Sequence, residues 1–340
     1  MYDSIEDLNL KLVSPIDLSA ASRQDNGHFN GGAQTFRHWD EEGIVSSACA
    51  KCHTAGGLPQ FLNEGVITSQ IPSNGFRCST CHDNLSVYSL YSTGTITFPS
   101  GADLGFSEDS ASNLCLNCHQ GTESTFVVNR VIEGFVIDAV IENAAIRLMH
   151  GYVAGATLFG TDAKGMYEYP EREYMGQFLH TEGFGECISC HDKHALEINK
   201  TTCSGCHQVD EPSLIRFGDA IDYDGDGDIT EGIKGEIETL HTALYSAIQS
   251  YALGTIGVPI VNNSDSPPYF FTDENNNGQF DPEEPAFTGT WTPRLLKAAY
   301  NYQYVLKDPG IFAHNAKYAI QVLIDSIEDI GGDVSTYTRP

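Results

Sequence analysis

The sequence predicts a chain of two parts: a mostly coil N-terminal part with short helices, cored by bound groups instead of packed side chains, and a helical C-terminal part with EF-hand-like acidic loops. Three observations predict it. All ten cysteines fall before residue 210, in five copies of one pentad, Cys-x-x-Cys-His. The same stretch is rich in Gly, Ser and Thr, as in NLSVYSLYSTGTITFPSG, a composition that favours turns over regular elements. Beyond residue 210 there is no cysteine, and apolar residues recur with helical period.

The pentads come first. They are Cys49/Cys52/His53, Cys78/Cys81/His82, Cys115/Cys118/His119, Cys187/Cys190/His191 and Cys203/Cys206/His207, and no cysteine is left over. A zinc ribbon does not require histidine directly after the second cysteine, and a thioredoxin-like redox site occurs once, beside a βαβ pattern. Covalent attachment of c-type haem explains every position. The two thiols add to the two vinyl groups of one haem, and the adjoining histidine lies under the iron as its proximal ligand. The sequence therefore predicts five haems c. Attachment of this kind takes place outside the cytoplasm, so the protein is expected to be exported, with a signal peptide missing from the chain.

Each iron has a second axial position. Outside the pentads stand His28, His38, His150, His180, His194, His241 and His314, whereas the only methionines are Met1, Met149, Met166 and Met175. Bis-histidine ligation is the simpler expectation. His194, three residues after His191, is too near to reach over its own haem and well placed to ligate a neighbour. His38 and His180 lie shortly before pentads. His150 closes the apolar-periodic stretch 126–150, read as a helix of about seven turns, and His314 opens another. His28 lies in a Gly/Asn-rich arm from which it could ligate a haem of a neighbouring subunit. His241, in the middle of a predicted helix, is expected to pack and not to ligate.

Successive first cysteines are 29, 37, 72 and 16 residues apart, so the fourth and fifth haems must be close neighbours. A close series of low-spin haems conducts by stepwise transfer between irons. With 46 acidic against 18 basic residues and a formal net charge of -28, the surface repels nucleic acid and anionic membrane. No apolar run approaches the ~20 residues that span a bilayer.

In the second part, residues 211–340, helical patterns cover 231–253, 293–306 and 315–329, and this part reads as a haem-free satellite of the haem domain at 1–210. Pro293 opens the second pattern and Gly331 closes the third. Two loops carry the spacing of a calcium site. DENNNGQFDPEE supplies Asp273, Asn275, Asn277, Gln279 and Glu284 around the turn at Gly278. DYDGDGDITEGI supplies Asp222, Asp224, Asp226 and Asp228, but has Ile233 where a bidentate Glu belongs, with Glu231 or Glu236 as substitutes. One or two structural calcium ions are expected, without a regulatory EF-hand pair.

The pentads, together with FRHWDEEGIVSSACAKCH, NLCLNCHQG, AGATLFGTDAKGMYEY and WTPRLLKAAYNYQYVLKDPGIFAHNAKY, resemble multihaem c-type cytochromes of anaerobic, metal-respiring or syntrophic microbes over most of the chain. The resemblance implies a multihaem cytochrome c fold, electron exchange with other cytochromes or redox partners, and an extracellular or cell-surface location, with the periplasm as the alternative. It also implies self-association into a filament, with His28 as the candidate ligand between subunits. The competing reading is a multihaem reductase of a small nitrogen species with one open haem. Five-haem nitrite reductases typically carry lysine in place of one pentad histidine, and all five pentads here end in histidine.

Overall fold

The computed structural model describes residues 9, 11–14, 28, 35–142, 144, 150–194, 197–216 and 221–340. It is mostly coil with short helices in its N-terminal two thirds and helical toward the C-terminus. By contacts the chain divides into two compact units, Met1–Tyr91 with His191–Ile198, and Ser92–Cys190 with Asn199–Pro340.

In the first unit, helix α1 (Ser47–His53) carries the first pentad and packs on α2 (Gly57–Glu64). A Cβ at Gly57 would lie 1.9 Å from the Ala50 carbonyl oxygen, so only glycine permits this approach. Gly57→Ala is expected to lower the unfolding free energy of this unit by about 1–3 kcal/mol, the usual cost of overpacking. An unchanged denaturation midpoint would show that the two helices do not need that contact. Left-handed Gly65 stops α2, its N–H donating to the Phe61 carbonyl. The second pentad forms α3 (Cys78–Cys81), tied to the preceding chain by Thr80 Oγ1 donating to the Ala55 carbonyl at 2.9 Å. It runs into the ribbon β1 (His82–Asn84) and β2 (Ser89–Leu90), which are antiparallel.

The second unit contains the third pentad in α4 (Ser112–His119), then α5 (Thr125–Ile132) and α6 (Ala154–Phe159). The fourth and fifth pentads are in α7 (Cys187–Cys190) and α8 (Lys200–His207). Three longer helices complete it, α9 (Ile233–Tyr251), α10 (Pro293–Leu306) and α11 (Ile311–Asp329). Between α9 and α10 runs an antiparallel ribbon of β5 (Ile260–Asn262) and β6 (Phe270–Thr272); another, β3 (Ile96–Thr97) with β4 (Asp103–Leu104), precedes α4. Along α9, Ile233, Ile237, Leu240, Leu244, Ile248 and Tyr251 are buried at helical spacing, forming one apolar stripe. Thr292 caps α10 by accepting from the Leu295 N–H at 3.2 Å, with Pro293 in the first helical position.

Two expectations need correction. The seven-turn helix over 126–150 is one short helix, α5, ending at Ile132. Gly134, at φ +81°, turns the chain, and Phe135, Val136 and Val140 beyond it are exposed. Beyond α5 the chain pairs with another loop instead, the Ile141 N–H donating to the Trp291 carbonyl at 2.8 Å and the Arg294 N–H to that of Ile137 at 3.1 Å. Residues 143 and 145–149 of that stretch lie outside the described residues. The C-terminal helices are also no satellite. Their core is continuous with Leu116, a fully buried residue inside the third pentad, through Phe159 and Val153 beside α6. Gly155 makes that packing possible, since a Cβ there would meet Leu116 at 2.7 Å and the His119 carbonyl oxygen at 2.9 Å. The change in composition near residue 210 marks where the pentads stop, not where contacts divide.

Candidate functional site

Every pentad folds as a turn of helix or the end of one. Cysteines three apart then share one face, and the histidine comes at the end of that turn. No disulfide joins any of the ten cysteines, and every one of these residues is part-exposed or exposed, although the Cys115 and Cys187 thiols hydrogen-bond to each other. Large apolar side chains stand exposed around these turns: Leu85, Val87 and Tyr88 behind the second pentad, Tyr152 with its ring 6.3 Å from that of His119, and Leu179 before His180. Exposed apolar surface of this kind calls for cover. The residues fit haem.

Two pentad histidine rings are oriented by their Nδ1 atoms. His53 Nδ1 lies 2.7 Å from the Thr35 carbonyl oxygen, and His82 Nδ1 2.9 Å from that of Tyr88. A histidine that donates Nδ1–H to a carbonyl holds its lone pair on Nε2, the tautomer a metal needs.

The histidines outside the pentads divide into three groups. His194 lies beside His82, ring centroids 6.4 Å apart, and His180 beside His207 at 6.0 Å. His38, His28 and His150 form the second group, with other neighbours. Trp39 stands 4.9 Å from the His38 ring and 5.3 Å from that of His53. His28 stacks on Phe76, two residues before Cys78, at 5.2 Å. His150 is exposed, off any helix, on the wall of a cavity of about 400 Å³ that Thr122 and Glu123, just after the third pentad, also line. The third group is held by other partners. His314 sits in the first turn of α11, before a break at Asn315, with Nδ1 2.8 and 2.9 Å from the two carboxylate oxygens of Asp308. Burial alone would push the His314 pKa down, but the Asp308 carboxylate holds it above the usual value; Asp308, only 2% exposed, is held low in turn. His241 lies flat on Tyr302, centroids 4.1 Å apart, with Nε2 2.9 Å from the Tyr302 carbonyl oxygen. Asp308, six residues before His314, was legible as a nearby carboxylate and was missed.

Both acidic loops are closed by backbone N–H groups. In the first, Asp222 accepts from Gly225 at 2.6 Å and Gly227 at 2.9 Å, and Asp228 accepts from Thr230 at 2.8 Å. One oxygen each from Asp222, Asp224 and Asp226 lie within 4.8 Å of one another, as do oxygens of Asp224, Glu231 and Glu236. Two oxygens on one calcium ion, each at ~2.3–2.6 Å, are at most roughly 5 Å apart. Asp224 Oδ2 and Glu231 Oε1 are buried without a hydrogen-bond partner. Burial, and then neighbouring carboxylates, push Asp224 up to about 6 and Glu231 up to about 7. Glu236 is differently engaged. Fully buried, it pairs with Arg216 and accepts from the Tyr223 and Asp224 N–H groups at 2.8 and 2.9 Å.

In the second loop Asp273 accepts from Asn277 at 3.0 Å and Gly278 at 2.7 Å, and Asn277 accepts from the Gln279 N–H at 2.7 Å. Glu284 accepts from the Asp281 N–H through Oε2, while its Oε1 is buried without a partner. Asp281, the ninth loop position, was missed in the sequence; the amides of Asn275 and Asn277 lie 2.7 and 3.1 Å from its Oδ2. The loop lies between β6 and a bridge at Ala286, and α9 begins only at the end of the first loop. Neither loop lies between two helices.

Five pentads, each on its own turn, are the pattern of a multihaem c-type cytochrome, and the chain is similar to known proteins of that kind. The chain is 25% identical over 338 residues to C-type polyheme cytochrome OmcC of Geobacter sulfurreducens, a match covering 89% of this chain and 38% of that protein. It is 26% identical over 363 residues to C-type polyheme cytochrome OmcB of the same species, covering 88% of this chain and 46% of that one. The chain thus spans less than half the length of these relatives. No family model matches it, and neither does any solved structure. Among the described residues no helix is long and apolar enough to cross a membrane.

Proposed function

We propose that the chain is an electron-transfer protein carrying five haems c, one on each pentad. The observation that carries this reading is the shared geometry of the pentads: in each, helical spacing sets two cysteines on one face with a histidine directly after them. Cys49 and Cys52, Cys78 and Cys81, Cys115 and Cys118, Cys187 and Cys190, and Cys203 and Cys206 hold the haems through thioethers. His53, His82, His119, His191 and His207 bind the irons from the proximal side. Each haem, once attached, supplies an iron that takes up one electron and passes it on. The distal ligands come from His28, His38, His150, His180, His194 and His314. For His314, the Asp308 carboxylate on Nδ1 is the partner that orients a metal-bound imidazole and raises its basicity.

The chain is exported, with an extracellular or cell-surface site favoured over the periplasm, and exchanges electrons with other cytochromes or redox partners. Each acidic loop holds one calcium ion, which binds the otherwise unpartnered carboxylate oxygens of Asp224, Glu231 and Glu284. Polymerisation through His28 rests on resemblance alone. His28 packs on Phe76 of its own chain, which favours an intrachain role.

The test is the haem count of purified holoprotein, from its pyridine haemochrome spectrum and intact mass. Five per chain are expected, falling to four when both cysteines of one pentad become alanine. A parent count below five, or one unchanged by such a double substitution, would contradict the assignment.

A further inference from the structure

Two histidines outside the pentads lie ring to ring with a pentad histidine, and both come from the peptide that carries the fourth pentad. We propose that His194 is the distal ligand of the iron held by His82, and that His180 is the distal ligand of the iron held by His207. This rests on the haem reading above and goes beyond it by assigning the pairs.

The argument is geometric. Two imidazoles bound to one metal from opposite sides, at ~2 Å per metal–nitrogen bond, have ring centroids on the order of 6 Å apart. The measured separations are 6.4 Å for His82 and His194 and 6.0 Å for His180 and His207. Separation alone does not decide, since the His119 and Tyr152 rings also lie 6.3 Å apart; what singles out the two pairs is that both partners are histidines and one of each pair belongs to a pentad. The rings of His82 and His194 are also near parallel, at 20°, yet stand too far apart to touch face to face. For two histidine rings, a separation of this size fits a shared iron. His82 is already oriented through Nδ1 on the Tyr88 carbonyl, which gives Nε2 to the metal.

The chain is folded to present His194. His191 and Ile198 form an antiparallel bridge, and the Asp192 N–H donates to the Glu197 carbonyl at 2.9 Å, which pairs residues 191 and 192 with 197 and 198. The His194 N–H donates to Asp192 Oδ1 at 2.9 Å, which fixes the backbone two residues beyond the bridge. His191 therefore serves the fourth iron while His194, three residues on, serves the second. Those three steps of chain span at most roughly 11 Å between Cα atoms. On the other side of the pentad, His180 precedes Cys187 by seven residues and caps the fifth. One short peptide, residues 180–194, thus attaches one haem and completes the ligation of two others.

The test uses the full-length holoprotein. His194→Ala should retain five haems by pyridine haemochrome and convert one iron in five from low spin to high spin in its EPR spectrum. That new signal should vanish when Cys78 and Cys81 are also replaced by alanine, which removes the second haem. It should persist when Cys187 and Cys190 are replaced instead. His180→Ala should behave in the same way toward Cys203 and Cys206. Should the alanine variants fail to accumulate, His194→Met keeps a ligand in place, and one iron should take on the spectrum of histidine–methionine ligation. Five haems all still low-spin in His194→Ala, or a high-spin signal that survives loss of the second haem, would overturn the pairing alone. A parent chain with fewer than five haems would overturn the reading on which it rests.

Discussion

Asp308→Ala is expected to destabilise the holoprotein by about 3–5 kcal/mol, the cost of removing one partner from a buried pair. Asp308 is 2% exposed and holds the His314 ring through both carboxylate oxygens, at 2.8 and 2.9 Å. It also accepts from the Gly310 N–H at 3.2 Å, which shapes the turn into α11. Without the carboxylate, the His314 ring loses the two contacts that orient its Nδ1 beside the central helices. The exposed pair of Arg37 and Asp40, 2.6 Å apart, is the control. Solvent screens it, and Asp40→Ala should change stability by less than about 1 kcal/mol. Denaturant unfolding of both variants checks this, and equal effects would refute the distinction.

Calcium removal should have the second-largest effect, with a change of sign that identifies its cause. At free calcium about 100 times the dissociation constant, each occupied site should add about 2.7 kcal/mol to stability. Chelation should therefore lower the melting temperature of the wild type. Glu284→Gln should lose stability in calcium, yet in chelator it should equal or exceed the wild type. Glu284 Oε1 is buried without a partner, so a charge there costs stability until a cation arrives. Asp224→Asn should repeat the pattern in the first loop, where Glu231 and Asp226 crowd the same space. Melting curves that ignore both chelator and substitution would show that the loops are only acidic turns.

The pentads were legible because covalent attachment dictates residue types and spacing locally, and each needs one helical turn. The three C-terminal helices were legible through their apolar period, and α9 and α10 lie within two residues of the patterns expected. The same period misled over 126–150. Periodicity records which residues are apolar, while Gly134 and the pairing of Ile137 and Ile141 with the start of α10 decided the backbone. Partners distant in sequence were not legible. That His194 meets His82, or that Leu116 inside a pentad belongs to the same core as the C-terminal helices, depends on tertiary packing that no local spacing encodes.

Low-temperature EPR of the oxidised protein, quantified against total haem from the pyridine haemochrome spectrum, tests the central claim most directly. Five haems per chain with every iron low-spin is the predicted result, as five histidine-ligated pairs require. One high-spin iron in five would contradict it, expose an open haem, and make nitrite and hydroxylamine the first ligands to add.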